Sequence, residues 1–138
     1  MNSTRIDDLV RFYETLTPES LAEMGRLYAE DAYFKDPFNE VHSLQDIQAI
    51  FAKMFRTLTN PRFKVLERIV GTSSAALTWH FDFSTGGSPI TVRGASVLRF
   101  GPDARVSYHR DYWDAAEEVY EKLPVVGMLM RWLKRRVG

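Results

Sequence analysis

Apolar residues recur at helical spacing up to Asn60-Pro61 and then begin to alternate. Ile6, Leu9, Val10, Tyr13 and Leu16 fall on one helical face, and Thr4 followed three residues later by Asp7 resembles a capping box with aspartate in the acidic place. Thr17-Pro18-Glu19 supplies a cap, a first-turn proline and an acid suited to the helix dipole. It predicts a second helix whose stripe is Leu21, Met24, Leu27 and Tyr28. Tyr33-Phe34 reads as a short strand that ends at the breaker Asp36-Pro37. Ser43 then caps a third helix with stripe Ile47, Ile50, Phe51, Met54, Phe55 and Leu58, stopped by Asn60-Pro61.

Four strand-like runs follow: Phe63 to Val70, Ala75 to Phe83, Ile90 to Phe100 and Val106 to Trp113. Gly71-Thr72-Ser73, the Gly86-Gly87 stretch and Gly101-Pro102-Asp103 connect them, each short enough for a hairpin. Helices followed by an antiparallel meander predict an α+β domain with helices on one face of a sheet. At 138 residues the chain is one domain, 1–138, with a core over 1–115 and a helical extension over 116–138. The extension opens at Asp114 and restarts at Pro124, with Val125, Val126, Leu129, Trp132 and Leu133 along one side.

Composition narrows the class. Hydrophobic residues make up 45% of the chain, nine Phe and three Trp among them, so a real core is available and disordered or collagen-like classes are excluded. The 18 basic and 18 acidic side chains cancel, which argues against a partner recognised through its phosphates, and no nucleic acid is expected. Four of the basic residues (Arg131, Lys134, Arg135 and Arg136) follow Val125 with no acid among them, leaving the preceding chain with an acidic surplus of four. Apolar residues, Trp and Lys/Arg together fit an interfacial helix, so 125–138 is a candidate for membrane-surface contact. Packing on the domain or in a dimer is favoured, because Met128 and Met130 broaden the apolar arc. Zero cysteine removes disulfides, thiolate nucleophiles and sulfur-ligated zinc. With no leader-like or membrane-spanning apolar run, a soluble, cytoplasmic protein is expected.

Strand alternation sorts the candidate chemistry. Trp79, Phe81 and Phe83 share a face opposite His80 and Asp82, and so large an apolar set must face the helices. In the last run His109, Asp111 and Trp113 oppose Tyr108, Arg110 and Tyr112, and the pattern alone does not decide which set turns inward. An inward His109 and Asp111 would bring ionisable groups into an aromatic interior, where such groups are site candidates; outward, they are a solvated face. Asp36 is open in the same way, as a site acid or as a turn-forming aspartate before proline. His42 and His80 are too scattered to join His109 in a metal site, and no metal is expected.

The block Tyr28-Ala-Glu-Asp-Ala-Tyr33-Phe-Lys-Asp36-Pro37-Phe38-Asn39 resembles the corresponding segment of bacterial ketosteroid isomerases, in the nuclear-transport-factor-2-like (SnoaL-like) superfamily. The element order is also similar, from about Ile6 to Trp113. The resemblance implies a cone-shaped, curved antiparallel or mixed sheet with three N-terminal helices on its concave face. It implies Asp36 as a general base, Tyr13 as an oxyanion-hole donor and Tyr28 as the tyrosine supporting it. Ser96 stands where the family has a protonated acid and Phe51 where it has a third tyrosine, while His109, Asp111 and Trp113 fall on the inner face. These expectations add up to cofactor-free acid–base catalysis of isomerase, dehydratase or cyclase type on a small apolar or aromatic molecule. Asp36, Tyr13, His109 and Asp111 are the catalytic candidates, and Tyr28, Tyr33, Phe51, Trp79, Phe81, Ser96 and Trp113 the ligand-binding ones. The alternative is a cone of the same fold that binds a ligand without turnover or serves as a scaffold. The resemblance also implies a homodimer through the outer sheet face, around Thr78, His80, Arg93, Val97, Tyr108 and Tyr112.

Overall fold

The computed structural model of the protein describes residues 3–114 and residue 135. Helix α1 (Ser3–Glu14) buries Ile6, Leu9, Val10 and Tyr13, as their spacing predicts. The second helix expected after Thr17 is present as Glu19–Arg26, wound as a 3-10 helix. Thr17 and Ser20 bond reciprocally, N–H to hydroxyl oxygen, at 2.9 and 3.0 Å, which closes the entry to the segment. At its end the Leu27 N–H donates to the Met24 carbonyl at 2.9 Å, an i to i−3 closure that stops the helix before Tyr28. The Leu27 carbonyl accepts the Val106 N–H at 2.8 Å, and the chain enters the sheet there. Strand β1 is therefore Tyr28–Lys35, longer than the Tyr33-Phe34 strand expected, and Tyr28 belongs to it and not to a helical stripe.

After β1 come a two-residue strand β2 (Glu40–Val41) and helix α2 (Leu44–Thr57). Ser43 caps α2 as expected, its hydroxyl oxygen accepting the Asp46 N–H at 3.1 Å. Strands β3 (Thr59–Val70), β4 (Ser74–Thr85), β5 (Ser88–Phe100) and β6 (Val106–Tyr112) then form the expected antiparallel meander. The complete sheet has six strands in the order β2-β1-β6-β5-β4-β3. It is mixed, because β1 runs parallel to β6 while β2 pairs antiparallel with β1. That parallel pair joins the first and last strands, and sequence-local patterns carry no trace of it.

Asn60-Pro61 does stop α2, yet β3 runs through it. Register passes from Thr59↔Ser84 to Arg62↔Asp82, so one extra residue is accommodated, with Asn60 at φ 52° in the left-handed region that asparagine tolerates. Pro61 is compatible with this position because β3 is an edge strand. A second irregularity, from Val65↔Trp79 to Glu67↔Thr78, falls at Leu66. Extra residues of this kind bend a strand and increase its twist. Helix α1 packs on β3, and α2 packs on β1, β3 and the 3-10 helix, so the core lies between helices and one sheet face. The C-terminal helices expected beyond Asp114, including the 125–138 segment, fall outside the described residues except for Arg135.

Candidate functional site

Burial decides the face of β6. His109 is buried, to 4% exposure, and Asp111 lies on the same side with 16% of its side chain exposed. Tyr108 and Tyr112 turn outward, where Arg99 and Arg110 lie over their rings at 4.7 and 4.8 Å. Placing an imidazole and a carboxylate in an aromatic core is costly unless each is hydrogen-bonded. Here they are joined in one line. The Trp79 Nε1–H donates to Ser96 Oγ at 2.8 Å, and the Ser96 hydroxyl donates to Asp111 Oδ1 at 2.5 Å. His109 Nε2 meets the same Oδ1 at 2.7 Å, while its Nδ1 lies 2.6 Å from the Tyr28 phenol oxygen. Tyr28 and Tyr13 close the line, phenol to phenol, at 2.5 Å.

The six members arrive from five elements. Tyr13 comes from α1, Tyr28 from β1, Trp79 from β4, Ser96 from β5, and His109 with Asp111 from β6. Ladder register makes the meeting possible: Ser96 is paired with Asp111, and Trp79 with Gly94. Gly94 allows the indole to lie across β5, since a Cβ there would sit 2.3 Å from Trp79 Cη2. Burial pushes the Tyr13 and Tyr28 phenols well above their ordinary range, with the Asp111 charge adding to both, so both remain protonated donors.

Asp36 ends the first strand in the turn toward β2. Its Oδ1 accepts the backbone N–H groups of Phe38 and Asn39 at 2.8 and 2.7 Å, and the Asn39 side-chain amide reaches both carboxylate oxygens at 3.1 and 3.2 Å. The turn-forming reading of this residue is thus correct. Its carboxyl also faces a cavity, and burial raises it above its ordinary value; the Phe38 and Asn39 donors oppose that rise, and the Asp111 charge adds to it.

That outer cavity holds about 750 Å³ of empty space, its open mouth included. Aromatic side chains make most of the wall: Phe63 stacks on Phe81 at 4.5 Å, Phe34 meets Phe51 at 6.1 Å, and Phe38 meets Trp113 at 5.4 Å. Asp36 and Asp111 are the two acids on it, and no basic residue among those described lines it. A smaller inner cavity, about 360 Å³ of empty space with its opening included, is lined by Tyr13, Ser96 and His109 among others. Phe51, Phe63, Trp79 and Asp111 border both spaces.

Most of the candidate residues therefore converge. Asp36, Asp111, Phe51, Trp79, Phe81 and Trp113 line the outer cavity, and Tyr13, Ser96 and His109 line the inner one. Two do not line either space. Tyr28 sits behind Tyr13 and reaches the site only through hydrogen bonds. Tyr33 is on the opposite sheet face, its hydroxyl donating to Glu40 at 2.6 Å and its ring stacked on Tyr108 at 5.2 Å. Strand alternation explains this, because Phe34 and Tyr33 point to opposite faces and Phe34 is the buried one. Ser96 is also not free to polarise a ligand, since its one proton goes to Asp111. The sequence reading missed Asn39, Phe63 and Gly94. An isolated glycine inside a strand pattern is the signal that would have pointed to Gly94.

Comparison with curated proteins found no match. Among solved structures, an epoxide hydrolase of M. tuberculosis described as LEH-like superposes with a TM-score of 0.70 at 11% identity, covering 93% of this chain and 94% of that one. A protein of ketosteroid isomerase-like fold from Catenulispora acidiphila, in complex with trimethylamine, gives a TM-score of 0.71 at 14% identity over 87% and 92% of the two chains. An NTF2-like protein of unknown function from Burkholderia pseudomallei gives 0.74 at 17% identity over 87% and 97%. At these identities the likeness is one of fold. The family profile of the SnoaL-like domain matches residues 9–109, from α1 to the buried histidine of β6, and the chain belongs to that family.

Proposed function

We propose that this protein is a cofactor-independent acid–base catalyst acting on a small, largely apolar molecule held in the aromatic cavity, with Asp36 as the base. One observation carries the reading: two carboxylates, Asp36 and Asp111, face an aromatic-lined space that no described basic residue enters. A base must be near its proton and must hold it neither too weakly nor too tightly, and a carboxyl raised by burial is better matched to neutral pH than an ordinary one. From a molecule that spans both spaces, Asp36 in the outer one takes a proton from carbon beside a carbonyl, and Tyr13 in the inner one steadies the developing charge on oxygen. The His109–Asp111 pair is the second acid–base group: it delivers a proton elsewhere on the skeleton through Asp111, which faces the cavity, and regains one from solvent as Asp36 releases the one it took. This sequence of transfers suits isomerase, dehydratase or cyclase chemistry.

A second reading is favoured by the Asx turn. The Asp36 Oδ1 is already committed to three donors, so a structural acid beside a non-catalytic ligand pocket accounts for the same contacts. Deuterium exchange separates the two. A panel of apolar aryl and cycloalkyl ketones is incubated with the protein in D2O, and label beside the carbonyl is read by NMR. The catalytic reading expects exchange that falls by about 10²–10⁴-fold in Asp36→Asn, with ketone affinity nearly unchanged. Equal exchange in the variant would remove Asp36 from the role of base.

A further inference from the structure

Proton counting along the buried line fixes which way each hydrogen bond runs. An indole N–H only donates, so Trp79 donates to Ser96 and the Ser96 proton goes to Asp111. Ionised Asp111 only accepts, so His109 meets it as Nε2–H. A neutral imidazole then carries its lone pair at Nδ1, and Tyr28 must donate to it across 2.6 Å. With the Tyr28 proton placed there, the contact between the two phenols is made with the proton of Tyr13. In this state Tyr13 presents only lone pairs to the inner cavity.

One added proton at His109 reverses the outer half of the line. An imidazolium donates from both nitrogens: Nδ1–H to the Tyr28 oxygen, the Tyr28 hydroxyl to the Tyr13 oxygen, and the Tyr13 proton is left over. Tyr13 lines the inner cavity, so that proton faces whatever occupies it.

We propose that His109 is a specificity-determining residue acting through the two tyrosines. Neutral, it makes Tyr13 an acceptor suited to a ligand hydroxyl or amine; protonated, it makes Tyr13 a donor suited to a ligand carbonyl. A carbonyl ligand therefore binds with uptake of one proton from solvent, held on His109; the two phenol hydrogen bonds reverse and no other covalent bond changes. Among the described residues, few groups compete for control of that proton. Asp111 faces His109 from its own strand, Tyr28 from β1 and Tyr13 from α1, while Asp36 shares the outer cavity with Asp111. The side chains that α2, β3 and β4 bring to the inner cavity are all uncharged. The inference rests on reading the cavity as a ligand site, and it is independent of turnover.

The test uses the full chain labelled with ¹⁵N in histidine, with His109 identified by the signals lost in His109→Gln. Long-range ¹H–¹⁵N spectra report which ring nitrogen is protonated. The expected neutral state has its proton on Nε2 and none on Nδ1; a neutral His109 protonated on Nδ1 overturns the proposal without any ligand. Binding of 2-acetylnaphthalene is then measured from pH 6 to 9, beside 2-ethylnaphthalene, which has no hydrogen-bonding group. Ketone affinity is expected to fall as pH rises, approaching about tenfold per pH unit at the alkaline limit. In the ketone complex both His109 nitrogens are expected to be protonated, and both effects are expected to vanish in Tyr13→Phe and with the hydrocarbon. Binding of both naphthalenes with no dependence on pH, or a dependence that survives in Tyr13→Phe, overturns the proposal alone. If neither naphthalene binds, the reading of the cavity as a ligand site falls, and the proposal with it.

Discussion

Asp36 accepts the Phe38 and Asn39 N–H groups through one oxygen, while burial and the Asp111 charge hold its carboxyl above the ordinary value of 3.8. The fold therefore binds the Asp36 proton more tightly than the unfolded chain does. The stability linked to that proton is fully present below pH 3.8 and is lost as pH rises through the higher value of the folded state. Asparagine retains a carbonyl oxygen for the two N–H groups and removes the ionisation. Asp36→Asn is accordingly expected to be more stable than the parent at neutral pH, with the gap closing as pH falls below 3.8. Urea denaturation over a pH series checks this, and a variant that is less stable at every pH would show the turn to depend on the carboxylate itself. A stabilising substitution that abolishes exchange is the trade-off expected of an active-site acid.

At the scale of elements, the β5–β6 ladder holds the site together. Ser96 stands between an indole that can only donate and a carboxylate that can only accept, and it serves both. Ser96→Ala leaves the Trp79 N–H buried without an acceptor and removes one donor from Asp111. A loss of roughly 1–3 kcal/mol is expected by chemical denaturation, together with changed Trp fluorescence. Much of this layer could be read from the sequence. Period-two alternation placed Trp79, Phe81 and Phe83 on one face, and Ser43 capped α2 where expected. Local rules fail at Tyr28, which fits a helical stripe but is drawn into β1 by pairing with β6, far away along the chain. They also leave His109 and Asp111 open, because the alternation of β6 does not say which of its faces meets the core, and only the folded sheet buries His109. Tyr33 was misplaced for a related reason. The short strand around it has two large aromatic neighbours, and only the sheet shows that Phe34 takes the core.

Among the described residues, the helices and both cavities lie on one side of the sheet, leaving an outer face with Tyr112 47% exposed. The edge strand β3 exposes Leu66, Ile69 and Val70 as well. Apolar groups left in water at this density suit contact with a second copy. A homodimer across the outer face is expected to sediment at about twice 15.9 kDa, and Tyr112→Glu is expected to weaken it by roughly tenfold or more. Since Tyr112 points away from the cavity, naphthalene binding is expected to survive the change; a monomeric parent would leave that face without the assigned role.

The catalytic reading rests on Asp36 being an acid whose proton is held more tightly by the cavity it faces, and that can be measured without knowing the substrate. The carboxyl of Asp36 is titrated by ¹³C NMR in the full, unliganded chain and again in Asp111→Asn. The expected midpoint lies above 3.8 in the parent and moves down when the Asp111 charge is removed. A midpoint at or below 3.8 that ignores the loss of Asp111 would contradict the account, leaving Asp36 as an ordinary turn aspartate.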